Sequence, residues 1–143
     1  MYRFLEARVE DYMTRAVMTV SPDMAVRELE QLFTQHDFNG FPVVADGALI
    51  GLVTKFDVLK VFVFTPHTVV PQYDQLARRT ATEVMTRDVI TFAPETPLTR
   101  VLQTLIDARV KSFPVVEHGR LIGIIAREDI VRALRDAATA APG

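Results

Sequence analysis

The sequence predicts an α+β fold made of two tandem β-α-β-β-α units packed sheet to sheet about a pseudo-twofold axis. Three observations carry this. The chain repeats itself without a gap at a shift of 72 positions, from Met13 to Met85. Each copy alternates short β-branched runs with longer stretches of helical spacing. Apolar residues make up 49% of the 143 positions, enough to bury a core without staples.

The repeat aligns Met13-Thr14-Arg15 with Met85-Thr86-Arg87, and Phe41-Pro42-Val43-Val44 with Phe113-Pro114-Val115-Val116. Asp57 falls on Asp129, Gly47 on Gly119, Gly51 on Gly123, and Pro22 on Pro94. Two copies of so long a period exclude a solenoid array. The organisation read from this is a lead-in at 1–11, a first unit at 12–64, a linker at 65–81, a second unit at 82–138 and a tail at 139–143. The linker holds Pro66 and Pro71, then a more helical stretch from Tyr73 to Arg79.

Within each copy the first strand is expected at Val17-Met18-Thr19-Val20 and Val89-Ile90-Thr91-Phe92, each followed two residues later by proline. A helix follows. In the second copy Thr96 suits an N-cap and Pro97 the first helical position, while Leu98, Val101, Leu102, Leu105 and Ile106 recur at helical spacing. In the first, Val26, Leu29, Leu32 and Phe33 draw the same stripe, with Asp23 as the candidate cap. The Phe-Pro-Val-Val strand comes next, its proline at a strand start or an edge. Turns at Asp46-Gly47 and His118-Gly119 make the following strand, 49–53 or 121–125, its antiparallel partner. Closing helices are expected from about Lys55 to Phe64 and from about Arg127 to Ala137. Two helices cover only one face of each sheet. Packing the two sheets together buries the other, at roughly 25 cal/mol per Å².

Composition removes several function classes. There is no cysteine, hence no disulfide, thiolate metal site or cysteine nucleophile. A formal charge of −2 with scattered lysines and arginines supplies no overall positive field, which argues against nucleic acid and leaves it a third reading behind the two given below. The N-terminus lacks a signal-peptide core, and the apolar run from Val58 to Val63, broken by Lys60, is too short to span a bilayer. A cytoplasmic protein is the expectation. No phosphate-binding glycine loop, dinucleotide fingerprint or nucleophile elbow occurs, and His36, His67 and His118 lack ligand spacing. With Ser21 and Ser112 the only serines, a serine triad has little to start from. The chain reads as a non-enzyme.

The Asp-Tyr-Met-Thr-Arg or Glu-Val-Met-Thr-Arg lead-in, the Phe-Pro-Val-Val strand and the Leu-Ile-Gly junction ending in Asp57 or Asp129, in tandem, resemble a pair of CBS domains. The resemblance implies a regulatory module for AMP, ADP, ATP or S-adenosylmethionine, with no required cofactor. It also implies a homodimer and an unidentified effector protein. Carried over by position, one cleft combines Thr54, Lys55 and Asp57 with Thr82, Arg87, Val110, Lys111 and Pro114. The other combines Ala126 and Asp129 with Glu10, Arg15, Phe38, Asn39 and Pro42.

The chemistry of Thr54 and Asp57 has two readings. An ionised carboxylate can accept both vicinal hydroxyls of a ribose, while the threonine hydroxyl and the adjacent helix N-terminus suit phosphate. Alternatively Thr-x-x-Asp is a capping box that serves its own backbone. Phe38 and Val110 suit a purine face or the core; Lys55, Lys111, Arg15 and Arg87 suit phosphate or solvent. Because Ala126 lacks the hydroxyl, the Asp57 cleft is expected to bind more tightly than the Asp129 cleft. A structural or dimerisation module with empty clefts is the alternative to a ligand sensor.

Overall fold

The computed structural model describes residues 2–63 and 73–139. Its elements in chain order are α1 (Tyr2–Glu6), α2 (Val9–Tyr12), α3 (Val26–Gln35), β1 (Gly40–Ala45), β2 (Ala48–Thr54) and α4 (Lys55–Val61). These are followed by α5 (Tyr73–Ala77), α6 (Ala81–Val84), α7 (Leu98–Ala108), β3 (Ser112–Glu117), β4 (Arg120–Ala126) and α8 (Arg127–Thr139). The α+β class and the tandem repeat are as the sequence predicts, and so is the short helix after Tyr73. Pro66, Pro71 and Phe64 of the expected linker and first closing helix lie outside the described residues, as does the tail beyond Thr139.

The compact units are cut differently from the repeats. One is Met18–Val89; the other joins Met1–Val17 to Ile90–Gly143. Each therefore contains the hairpin of one repeat and the lead-in of the other. Core residues follow the same division. Met85 and Ala81 pack with Val20, Val26, Leu29, Phe41, Val43, Val53 and Val58. Phe4, Val9 and Met13 pack with Phe92, Leu98, Val101, Phe113, Val115, Ile125 and Ile130. Full burial of a side chain such as Phe41 or Phe113 is worth about 1.5–3 kcal/mol.

Backbone hydrogen bonds stitch each lead-in to its hairpin and helix in the same way. Leu52 and Thr86 exchange N–H···O bonds of 2.9 and 2.8 Å, and Ile124 and Thr14 exchange bonds of 2.9 and 2.8 Å. The first helical N–H of α3, on Val26, donates to Arg79 at 2.7 Å, and that of α7, on Leu98, donates to Ala7 at 3.0 Å. These carbonyls replace the side-chain caps expected from Asp23 and Thr96. The N-cap positions are Ala25 and Pro97, neither with a side-chain cap. The Thr96 carbonyl instead accepts from Val9 at 2.9 Å.

The hairpins form as expected. Phe41 pairs with Val53 and Phe113 with Ile125, with a register irregularity after Val43 and after Val115. Asp46 and Gly47, like His118 and Gly119, both take positive φ, the requirement of a type I′ turn.

The first predicted strand is reduced in each copy to a single parallel bridge, Val20 to Val43 and Phe92 to Val115. Proline explains this. Val20 donates to Pro42 and accepts from Val44, so the preceding rung would need an N–H from Pro42 and the following one an N–H from Pro22. Pro114 and Pro94 remove the same rungs around Phe92.

Gly51 and Gly123 mark where the lead-ins approach the hairpins. A Cβ at Gly51 would meet Met85 Sδ at 2.5 Å and the Thr86 carbonyl at 2.9 Å; one at Gly123 would meet the Thr14 carbonyl at 2.8 Å. A backbone carbonyl cannot retreat without breaking the lead-in bridge. Gly51→Ala and Gly123→Ala are each expected to lower stability by about 1–3 kcal/mol in urea titrations, and an unchanged midpoint would refute the close approach.

Tyr12 donates to Asp136 at 2.8 Å and Tyr73 to Glu30 at 2.6 Å. Donation to a carboxylate, then desolvation, raises both phenols above the usual value of 10. The neutral phenol is the form the fold favours. Its contribution is present below pH 10 and is lost as pH rises through the higher folded value. In an ultraviolet phenolate titration, Tyr12→Phe and Tyr73→Phe should each delete a late component.

Candidate functional site

Each repeat turns from its second hairpin strand into a helix at the Asp57 or Asp129 segment. At the first junction Thr54 is the N-cap of α4 and Asp57 its third residue, forming a complete capping box. The Asp57 N–H donates to Thr54 Oγ1 at 3.1 Å, and Asp57 Oδ2 accepts from the Thr54 N–H and hydroxyl at 2.9 Å each. The lead-in closes the other side: Thr86 Oγ1 donates to Asp57 Oδ1 at 3.1 Å. Lys60, one turn along α4, places Nζ 3.2 Å from Oδ1 and 5.3 Å from the Phe56 ring centroid. Asp57 is 3% exposed, and the donors to its two oxygens, from Thr54, Thr86 and Lys60, all belong to its own unit. A buried carboxylate is tolerated only under such pairing.

The second junction is the same geometry with fewer donors. Asp129 Oδ2 accepts from the Ala126 N–H at 2.8 Å, so half of the capping box survives without a hydroxyl. That half accounts for an aspartate at this position without a ligand. Arg132 Nη1 lies 3.2 Å from Oδ1, while its Nη2 donates to the Tyr12 carbonyl at 3.0 Å and its guanidinium sits 5.4 Å from the Tyr12 ring centroid. A separate cleft of about 330 Å³ in this unit, lined by Arg3, Tyr12, Asp136 and Thr139 among others, includes neither Ala126 nor Asp129.

Of the residues expected at the first site, Thr54, Lys55, Asp57, Thr82 and Arg87 fall in the unit Met18–Val89. Arg87 reaches the Thr82 carbonyl at 3.4 Å, and the Thr82 hydroxyl donates to Pro22 at 2.9 Å. Val110, Lys111 and Pro114 belong to the other unit, which also holds Ala126, Asp129, Glu10 and Arg15; Phe38, Asn39 and Pro42 lie in the unit of Asp57. Asn39 and Lys111 present carbonyls to the first N–H of the closing helix of their own repeat, Lys55 of α4 at 3.2 Å and Arg127 of α8 at 3.1 Å. Pro42 and Pro114 are buried. Phe38 is 45% exposed, stacked on His36 with ring centroids 5.6 Å apart and edge-on to Phe41 at 5.7 Å.

Thr86, Lys60 and Arg132 were not singled out from the sequence. Two signals pointed to them. Thr86 is the centre of the repeated Met-Thr-Arg triplet, and a cation stands three residues after the aspartate in both copies.

Comparison with known proteins places the chain in a family. The CBS domain family matches residues 9–63 and 81–136. The chain is a tandem pair of CBS domains and belongs to that family. Inosine-5'-monophosphate dehydrogenase of Korarchaeum cryptofilum is 30% identical over 124 residues, 86% of this chain but 23% of the relative. The CBS domain-containing protein YhcV of Bacillus subtilis is 30% identical over 122 residues, 85% of this chain and 81% of the relative. The chain thus spans about a quarter of the first and most of the second. Among solved structures, CBSX2 in complex with AMP has a TM-score of 0.77 at 25% identity, covering 92% of this chain and 98% of that one. The CBS domain pair of protein MJ0100, in complex with 5'-methylthioadenosine and S-adenosyl-L-methionine, has a TM-score of 0.72 at 26% identity over 92% and 98%. No helix among the described residues is long and apolar enough to cross a membrane.

The junctions predict a reciprocal pair of stabilities. Thr54→Ala should cost about 1 kcal/mol, the usual worth of a hydroxyl cap, and Ala126→Thr should gain up to a similar amount. Equal unfolding midpoints for all three proteins would show that the hydroxyl contributes nothing at this N-cap.

Proposed function

We propose that the chain is a regulatory module that binds an adenosine-containing ligand, AMP, ADP, ATP or S-adenosylmethionine, and thereby alters the activity of a partner protein in the cytoplasm. The observation that carries this is a nearly buried aspartate at the same junction in both repeats, in a family with solved members holding AMP or S-adenosylmethionine. A carboxylate at this junction can accept both hydroxyls of a ribose diol where its acceptor positions are open or their present donors are displaced. Thr54, Lys55, Thr82, Arg87, Val110, Lys111 and Pro114 are proposed to serve the Asp57 site; Ala126, Glu10, Arg15, Phe38, Asn39 and Pro42 are proposed to serve the Asp129 site. No catalytic role is proposed, since the chain matches only 23% of its dehydrogenase relative. A ligand regulates the partner to the extent that it binds two conformations of the module unequally.

One observation favours the structural alternative. The Asp57 carboxylate is already fully employed by Thr54, Thr86 and Lys60. Thermal melts with millimolar AMP, ATP or S-adenosylmethionine separate the readings, because a ligand that binds only the native state must raise the melting temperature. At 100 times its dissociation constant a ligand adds about 2.7 kcal/mol. An absence of any shift favours the structural module.

A homodimer is part of the proposal and is supported by α4. Phe56, Leu59 and Val63 are 68%, 67% and 66% exposed along and just beyond this helix, an apolar surface that self-association would cover. Leu59→Glu is expected to convert dimer to monomer in sedimentation velocity with little loss of folding. A monomeric parent chain would remove this part of the proposal.

A further inference from the structure

We infer that Asp129, not Asp57, is the carboxylate ready to accept a ribose, and that Lys60 is the positioning residue that keeps Asp57 closed to a diol. This rests on the adenosyl-ligand reading and reverses the order expected from the threonine alone. A carboxylate offers about four acceptor positions. At Asp57 all are taken: Oδ2 by the Thr54 N–H and hydroxyl, Oδ1 by the Thr86 hydroxyl and the Lys60 ammonium. A diol needs two positions and can enter only by displacing two of these donors.

At Asp129, among the described residues, only two positions are taken, one on each oxygen. Ala126 leaves the second position on Oδ2 open because it has no hydroxyl to fill it. Arg132 is drawn aside by the Tyr12 carbonyl and ring, so its second amino group does not turn toward the carboxylate. The position on Oδ1 that the Thr86 hydroxyl fills at Asp57 falls here to Thr14, which makes no hydrogen bond to Asp129 among the described residues. What remains is one free position on each oxygen, which matches two adjacent hydroxyls, and the loss of the Thr54 hydroxyl in the second copy accounts for the one on Oδ2. Lys60, with its side chain 52% exposed and its ammonium already 5.3 Å from the Phe56 ring centroid, is the donor at Asp57 most easily displaced.

Adenosine, which has the diol and no phosphate, isolates this step. Titrated by calorimetry into the full chain, its tighter phase should persist in Asp57→Asn and vanish in Asp129→Asn. In the Asp129→Asn background, Lys60→Met should tighten the remaining phase about tenfold, the worth of one charged donor no longer displaced. In the parent chain 2′-deoxyadenosine, one hydroxyl short, should bind at Asp129 much more weakly than adenosine, since it can fill only one of the two open positions. Lys60→Gln replaces Lys60→Met if the latter lowers the melting temperature. Loss of the tighter phase in Asp57→Asn, or no tightening in a folded Lys60 variant, overturns the inference while leaving adenosyl binding intact. A parent chain that shows neither heat nor a melting shift with adenosine, AMP or S-adenosylmethionine overturns the ligand reading and this inference together.

Discussion

The backbone exchange between each lead-in and the hairpin of the other repeat is the constraint on which the rest of the structure depends. Leu52 and Ile124 turn their N–H and C=O toward Thr86 and Thr14. Without those partners each would leave a pair of polar groups unsatisfied on a half-buried strand, at a cost of about 1–3 kcal/mol per group. The same segments supply the carbonyls that receive the first N–H of α3 and α7, so strand pairing and helix capping come from one stretch of chain. Glycine at positions 51 and 123 follows from this, since any side chain would push against the carbonyl that makes the bridge.

That exchange also builds the aspartate environments. Thr86 reaches Asp57 because its backbone is bound to Leu52 of β2, which leads directly into α4. A polar group three residues into a short helix is thereby enclosed by a segment distant in sequence. Burial then makes the count of hydrogen-bond donors decisive: a carboxylate in this setting must be filled by its own chain or by something that replaces it.

The sequence made most of the architecture visible because repetition and turn chemistry are local signals. The glycine turns, the strand from Phe41, the stripe from Val26 to Phe33 and the short helix after Tyr73 all follow from neighbours a few residues apart. The misses are of another kind. Val17 to Val20 has the composition of a strand, but its pairing is cut short by prolines some twenty residues away in the partner, Pro42, and two residues on, Pro22. Asp23 and Thr96 look like caps, yet the caps are carbonyls of Arg79 and Ala7, which no local pattern could reveal. At the site, the aspartates and Thr54 were evident from the capping-box spacing. Thr86 was hidden because its role depends on which hairpin its lead-in joins.

Where the two copies differ is as informative as where they agree. The glycine pairs 47/119 and 51/123, the Phe-Pro-Val-Val strands and the stitching carbonyls coincide at a shift of 72 positions, as the shared backbone geometry requires. Around the aspartates the copies part: Thr54 becomes Ala126, Lys60 becomes Arg132, and Val84 takes the place that Tyr12 holds in the other lead-in. Removing the hydroxyl strips a donor from the second carboxylate, and a lysine there could swing to fill the vacancy. Arginine with Tyr12 cannot do so as readily, because its planar fork is divided between a carboxylate and a carbonyl that face different ways. The second copy thus differs from the first by a consistent set of substitutions that leaves one buried carboxylate with spare acceptor capacity, and a single deletion of a cap would not by itself keep that capacity open.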